Sequence, residues 1–98
     1  MNALTLDTTV VASRDQVAAN LAEEVIILGM RDGVYYGVDG VAARVWALVQ
    51  QPARIDEVVR TLLQEYEVVA ESCEAEVIAF VAELEASGLV TRVGTGAP

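Results

Sequence analysis

Apolar positions change period once along this chain. Up to about residue 38 they cluster in short β-branched runs, and beyond it they recur at helical spacing. Residues 8–12 (TTVVA), bounded by Asp7 and the polar Ser13-Arg14-Asp15-Gln16, predict a first strand. Residues 25–30 (VIILGM) and 34–38 (VYYGV) are two further runs, separated by Arg31-Asp32-Gly33. Asp-Gly between such runs predicts a hairpin, because a tight turn needs positive φ values that Asp and Gly tolerate. In the third run Val34, Tyr36 and Val38 share one face, expected inward, which leaves Tyr35 as the more exposed ring.

A helix is predicted over residues 41–50, capped by Asp39 and stopped before Pro52. Val41, Val45, Leu48 and Val49 share its apolar face, with Trp46 at the flank and expected in the core. A second helix over residues 55–66 sets Ile55, Val58, Val59, Leu62, Leu63 and Tyr66 against Asp56, Glu57, Arg60, Gln64 and Glu65. Ser72 predicts the N-cap of a third helix ending near Ser87 and Gly88, whose core stripe is Cys73, Val77, Phe80, Val81 and Leu84. Residues 89–93 read as a short extended return. Residues 1–7 and 94–98 are expected to be flexible ends of one domain spanning 8–93. The order predicts an α+β domain of winged helix-turn-helix type, a three-stranded antiparallel sheet followed by three helices.

With 54% apolar and 21% charged residues, the 98-residue chain suffices for one packed core and not for a separate catalytic domain. Six arginines, no lysine and fifteen acids give a net charge of −9, which disfavours nucleic acid and anionic membranes and favours a basic or neutral partner. The third helix carries Glu74, Glu76, Glu83 and Glu85 and no basic residue, the opposite of a DNA-reading helix. No run reaches the ~20 apolar residues of a membrane span. The N-terminus lacks the basic and apolar stretches of a signal peptide, so a cytoplasmic location is expected.

Catalytic chemistry is poorly supplied. Without histidine there is no Ser-His or Cys-His pair, and Cys73 falls on an apolar stripe among acids, where a packing role is expected. Glu23-Glu24 and Glu74/Glu76 lack the spacing of a calcium loop, and no Gly-rich phosphate loop is followed by lysine. No catalytic residue, metal or cofactor is expected.

The stretch DGVYYGVDGVAARVWALV (residues 32–49) resembles the signature of PqqD-like proteins: glycine, Tyr-Tyr-Gly-hydrophobic, then a small-residue helix with Trp. Within that family it is most similar to the stand-alone leader-binding proteins of lasso-peptide clusters. The resemblance spans roughly residues 10–90. It takes in SRDQV before the sheet, EVIIL in the second strand, the helix over 55–66 and the ending LEASGLV. Arg54 stands where relatives commonly have a capping Thr, and Val38-Asp39 where they often have Leu-Asn.

The resemblance implies a non-catalytic domain that binds the leader of a ribosomally made precursor and presents the core to a leader peptidase and a cyclase. In such relatives the leader adds as a strand beside the third strand, under the third helix. Carried onto this chain, the peptide-binding residues are Val34, Tyr35, Tyr36, Gly37 and Val38 on the edge, with Glu76, Val77, Phe80, Val81, Glu83 and Leu84 on the helix. A structural subunit of another peptide-modifying complex and a winged-helix transcription regulator are the alternatives.

Overall fold

The computed structural model describes residues 3–14, 16–21, 24–30, 33 and 35–93. Four strands, β1 (Thr9–Ala12), β2 (Gln16–Leu21), β3 (Glu24–Gly29) and β4 (Tyr35–Asp39), precede α1 (Gly40–Leu48). Then β5 (Ala53–Arg54) leads into α2 (Ile55–Glu65), and α3 (Ala70–Ala86) is followed by β6 (Val90–Arg92). The α+β class holds, with a three-stranded antiparallel sheet followed by three helices.

Membership of that sheet differs from expectation. Its order is β2-β3-β4, whereas β1 pairs with β5 and β6 in a second small sheet. The segment QVAANL has one β-branched residue and little local strand preference. It pairs along its whole length with EVIILG, Gln16 opposite Gly29 through Leu21 opposite Glu24. Strand preference is largely a matter of such pairing, and here the apolar β3 recruits a neighbour its local sequence does not announce. Across β3 and β4, Ile27 stands opposite Tyr36 and Leu28 opposite Tyr35. Gly33 closes the connection at φ 71°, its N–H donating to the Gly29 carbonyl at 3.1 Å. Asp32 lies outside the described residues.

Asp39 occupies the N-cap position of α1 but makes no side-chain capping bond. At α2 the missing threonine is compensated by the N-terminal segment. Ile55 N–H donates to the Thr8 carbonyl at 2.9 Å and Asp56 N–H to the Leu6 carbonyl at 3.0 Å, so two orphan donors of the first turn are satisfied by backbone. Glu57 reaches back to the Arg54 N–H, and the Arg54 guanidinium pairs with Asp7 and Asp56.

Helix α3 begins earlier than expected. Val69 holds the N-cap position with extended backbone, and Cys73 N–H already donates to its carbonyl at 2.8 Å, which puts Ser72 inside the first turn instead of at the cap. Gly88, at φ 77°, ends the helix as expected, and Leu89 N–H returns to the Leu84 carbonyl at 2.8 Å.

Ile27 and Val38 of the sheet pack with Val45, Trp46, Ile55, Leu62, Val77 and Leu84 of the helices in one core. Leu4 is buried in the same core and Leu6 packs on it. Burying these leucines removes apolar surface from water and holds Leu4 and Leu6 against the body. Residues 94–98 lie outside the described ones.

Candidate peptide-binding cleft

Strand β4 is an edge. It has β3 on one side and, among the described residues, no strand on the other. Neither lysine nor proline blunts Tyr35–Asp39, so its outward N–H and C=O groups form a template for a further strand. Val38 is buried and Tyr36 half-buried on the face toward the helices, while Gly37 and Tyr35, the latter 69% exposed, face outward. Val34, expected on the same edge, lies outside the described residues.

Two contacts fix how α3 lies beside this edge. Near the start of β4 the Tyr36 hydroxyl is hydrogen-bonded to Ser87 Oγ, just past the end of α3. Beyond the other end of β4, Val41 and Ala42 line a groove with Glu76, Val77 and Phe80 of α3. Strand and helix thus run antiparallel. About five strand residues and about ten helical residues separate the two contacts, and both spans come to ~15 Å. Glu76, Phe80, Glu83 and Ser87 follow i, i+4, i+7, i+11 spacing and so share one stripe of α3, which places Glu83 between the groove and the Tyr36–Ser87 bond.

The groove holds about 210 Å³ and is walled by Val41, Ala42, Val45, Val68, Cys73, Val77 and Phe80, with Glu76 its one charged member. Such a site offers room for a large apolar side chain, with an acid at hand for a basic neighbour. Val81 and Leu84 are fully buried and contribute no exposed surface to the cleft; they seat α3 on the core. Val41, Ala42, Val68 and Ser87 are cleft residues that sequence reasoning did not single out. Val68 carried a signal, an apolar residue between two helices with no place in either stripe.

Burial pushes the Cys73 thiol up, and the charges of Glu76 and Glu74 push it further. A thiol held neutral in this way is a packing group and a poor nucleophile. Arg44 holds Glu65 through two hydrogen bonds of 2.8 Å, which keep the carboxyl below and the guanidinium above their ordinary ranges. Arg92 grips Glu85 similarly, at 2.7 and 3.1 Å. Glu76 and Glu83 have no such partner among the described residues. No three His, Cys, Asp or Glu side chains among the described residues are grouped to hold a metal ion. Among the described residues no helix is long and apolar enough to cross a membrane.

Among solved structures the chain is similar to TbiB1 in complex with the TbiA(beta) leader peptide, at 28% identity and a TM-score of 0.76 over 90% of this chain and 98% of that one. Its fold is also that of a lasso peptide synthetase B1 complexed with the leader peptide, at 22% identity and a TM-score of 0.68 over 84% and 96% of the two chains. No curated protein matches it. The family model of coenzyme PQQ synthesis protein D (PqqD) matches residues 24–90, from the first residue of β3 to the first residue of β6. With well over half of its length so matched, the chain belongs to the PqqD family.

Proposed function

We propose that this protein is a non-catalytic adaptor that binds the leader of a ribosomally made precursor peptide and presents the core to the peptidase and cyclase of a lasso-peptide pathway. The observation that carries this reading is the open β4 edge followed, beyond its C-terminal end, by an apolar groove between α1 and α3. TbiB1, 28% identical over nearly the whole chain, was solved with a leader peptide, which supports the same ligand class here.

In this reading the leader pairs its backbone with Tyr35, Tyr36, Gly37 and Val38. One apolar side chain enters the groove against Val77 and Phe80, and Glu76 and Glu83 draw a basic residue beside it. Val81 and Leu84 act indirectly by seating the helix. About four new backbone bonds at ~1 kcal/mol each, plus ~2–3 kcal/mol for the anchor, must exceed the cost of ordering a flexible peptide. A micromolar complex needs about −8 kcal/mol net, so these terms of ~6–7 kcal/mol do not supply it alone and further side-chain contacts of the peptide must contribute. Fluorescence titration of a labelled leader, followed by amide exchange on the complex, tests this. Saturable binding with new protection over residues 35–39 is expected; protection confined to another surface would defeat the strand-addition reading. Mass spectrometry of precursor incubated with the protein alone should show no change in mass, and a processed product would remove the word non-catalytic.

A further inference from the structure

The outer face of the sheet, turned away from the helices, has its own chemistry next to the β4 edge. On that face Tyr35, Gly37 and Asp39 of β4 stand in register with Leu28, Ile26 and Glu24 of β3. Glu24 and Asp39 are both exposed, and among the described residues neither side chain has an ion pair. Like charges set directly opposite across two strands are unfavourable, and nothing in the chain relieves this pair. The Glu24 carboxylate lies over Gly37, so that a Cβ at position 37 would sit 3.2 Å from Glu24 Oε2 and 3.5 Å from Ile26 Cδ1. Glycine therefore leaves the carboxylate room to reach across β4 toward its open edge.

Residues opposite one another on neighbouring strands point to the same face. A peptide residue paired with Gly37 would thus project outward, away from α3, between the exposed Tyr35 ring and Asp39, with Ile26 and the Glu24 carboxylate just across Gly37. We infer that this position is a second side-chain subsite, one that selects a lysine or arginine of the added strand through contact with Glu24. The inference rests on the proposed strand addition at β4 and names the residue class read on its outer face.

Other side chains match these surroundings poorly. An apolar residue would take the Glu24 carboxylate out of water without giving it a partner. An acidic one would add a third negative charge beside Glu24 and Asp39. A small one would leave the Tyr35 ring and Ile26 uncovered. A long basic chain meets all three neighbours: its aliphatic stem lies along Tyr35 and Ile26, and its cation reaches Glu24 with Asp39 close by. Glu76 and Glu83 stand on α3, on the helical side of the sheet, so this preference is separate from theirs.

Selection of random displayed peptides on the purified protein tests the inference, with parallel selections on Glu24→Gln and on Glu76→Gln with Glu83→Gln. Among binders that protect residues 35–39 from amide exchange, one position should favour lysine or arginine. That preference should vanish on Glu24→Gln and persist on the α3 double variant. For one such binder, replacing its basic residue by glutamine should weaken binding about threefold, the scale of an exposed ion pair. Glu24→Gln should do the same, and the two changes together little more. Binders that protect residues 35–39 but show no basic position, or a basic preference that survives Glu24→Gln, would overturn the subsite and leave strand addition standing. If no selected peptide protects residues 35–39, strand addition fails and the subsite fails with it.

Discussion

Two side chains in the cleft decide testable properties by themselves. Cys73 lies at the groove wall with its thiol pushed up, first by burial and then by Glu76 and Glu74. Its folded-state pKa is raised above the unfolded value, and the form favoured by folding is the neutral one. The stability it contributes is thus complete below the unfolded value of about 8.5 and is lost as pH rises through the folded value. Urea unfolding from about pH 7 to about pH 10 should show a decline that Cys73→Ala lacks, while an identical decline in the variant would assign it to other groups. The burial of Cys73 was legible in its place on an apolar stripe. The partner of Tyr36 was not. Strand alternation points Tyr36 inward, but its hydrogen bond to Ser87 crosses 51 positions of sequence, a distance that no local pattern reports. Tyr36→Phe and Ser87→Ala should each cost ~1 kcal/mol in thermal unfolding, and the double variant should cost little more than either. Additive losses would mean that the two hydroxyls act separately.

Elements with a strong local period were readable, and those made by pairing were not. The helix α2 declares itself through apolar spacing, and β3 through EVIILG. β2 does not, because QVAANL becomes a strand only by lying against β3; the sheet was correctly counted with the wrong first member. The start of α3 was misread for a related reason. Ser72 is a good cap by chemistry, but the backbone after Val69 is already helical, and the turn out of α2 sets where that happens. The edge position of β4 followed from its being the last strand before the helices. If the leader adds there, proline at Tyr35 and at Tyr36 should have unlike effects, since alternate N–H groups of a strand point to opposite neighbours. One substitution should abolish leader binding with circular dichroism unchanged, and the other should disturb the hairpin. Tyr36→Phe serves as the control for losing the Ser87 bond. Equal effects at the two positions would contradict pairing through this edge.

Over the whole molecule, charge is distributed so that the cleft keeps its negative sign. Of the six arginines, Arg44, Arg54 and Arg92 are engaged by Glu65, by Asp7 and Asp56, and by Glu85, and among the described residues Glu76 and Glu83 have no counter-charge on the stripe that faces β4. The net charge of −9 was plain in the composition, but which acids are neutralised depends on contacts between segments far apart in sequence. For a leader with a basic segment, Glu76→Gln with Glu83→Gln should weaken binding by ~0.5–1.5 kcal/mol, most at low salt, because exposed charges more than about 8–10 Å apart are largely screened at physiological ionic strength. Glu67→Gln with Glu71→Gln removes the same net charge from exposed positions outside that stripe. If attraction is local to the cleft, only the first pair lowers affinity, with the loss shrinking as salt rises. If both pairs act equally, the field of the whole molecule steers the peptide. In that case the change belongs to the association rate, which stopped-flow mixing separates from dissociation. No change with either pair would assign these acids to solubility and leave binding to the β4 edge and the groove.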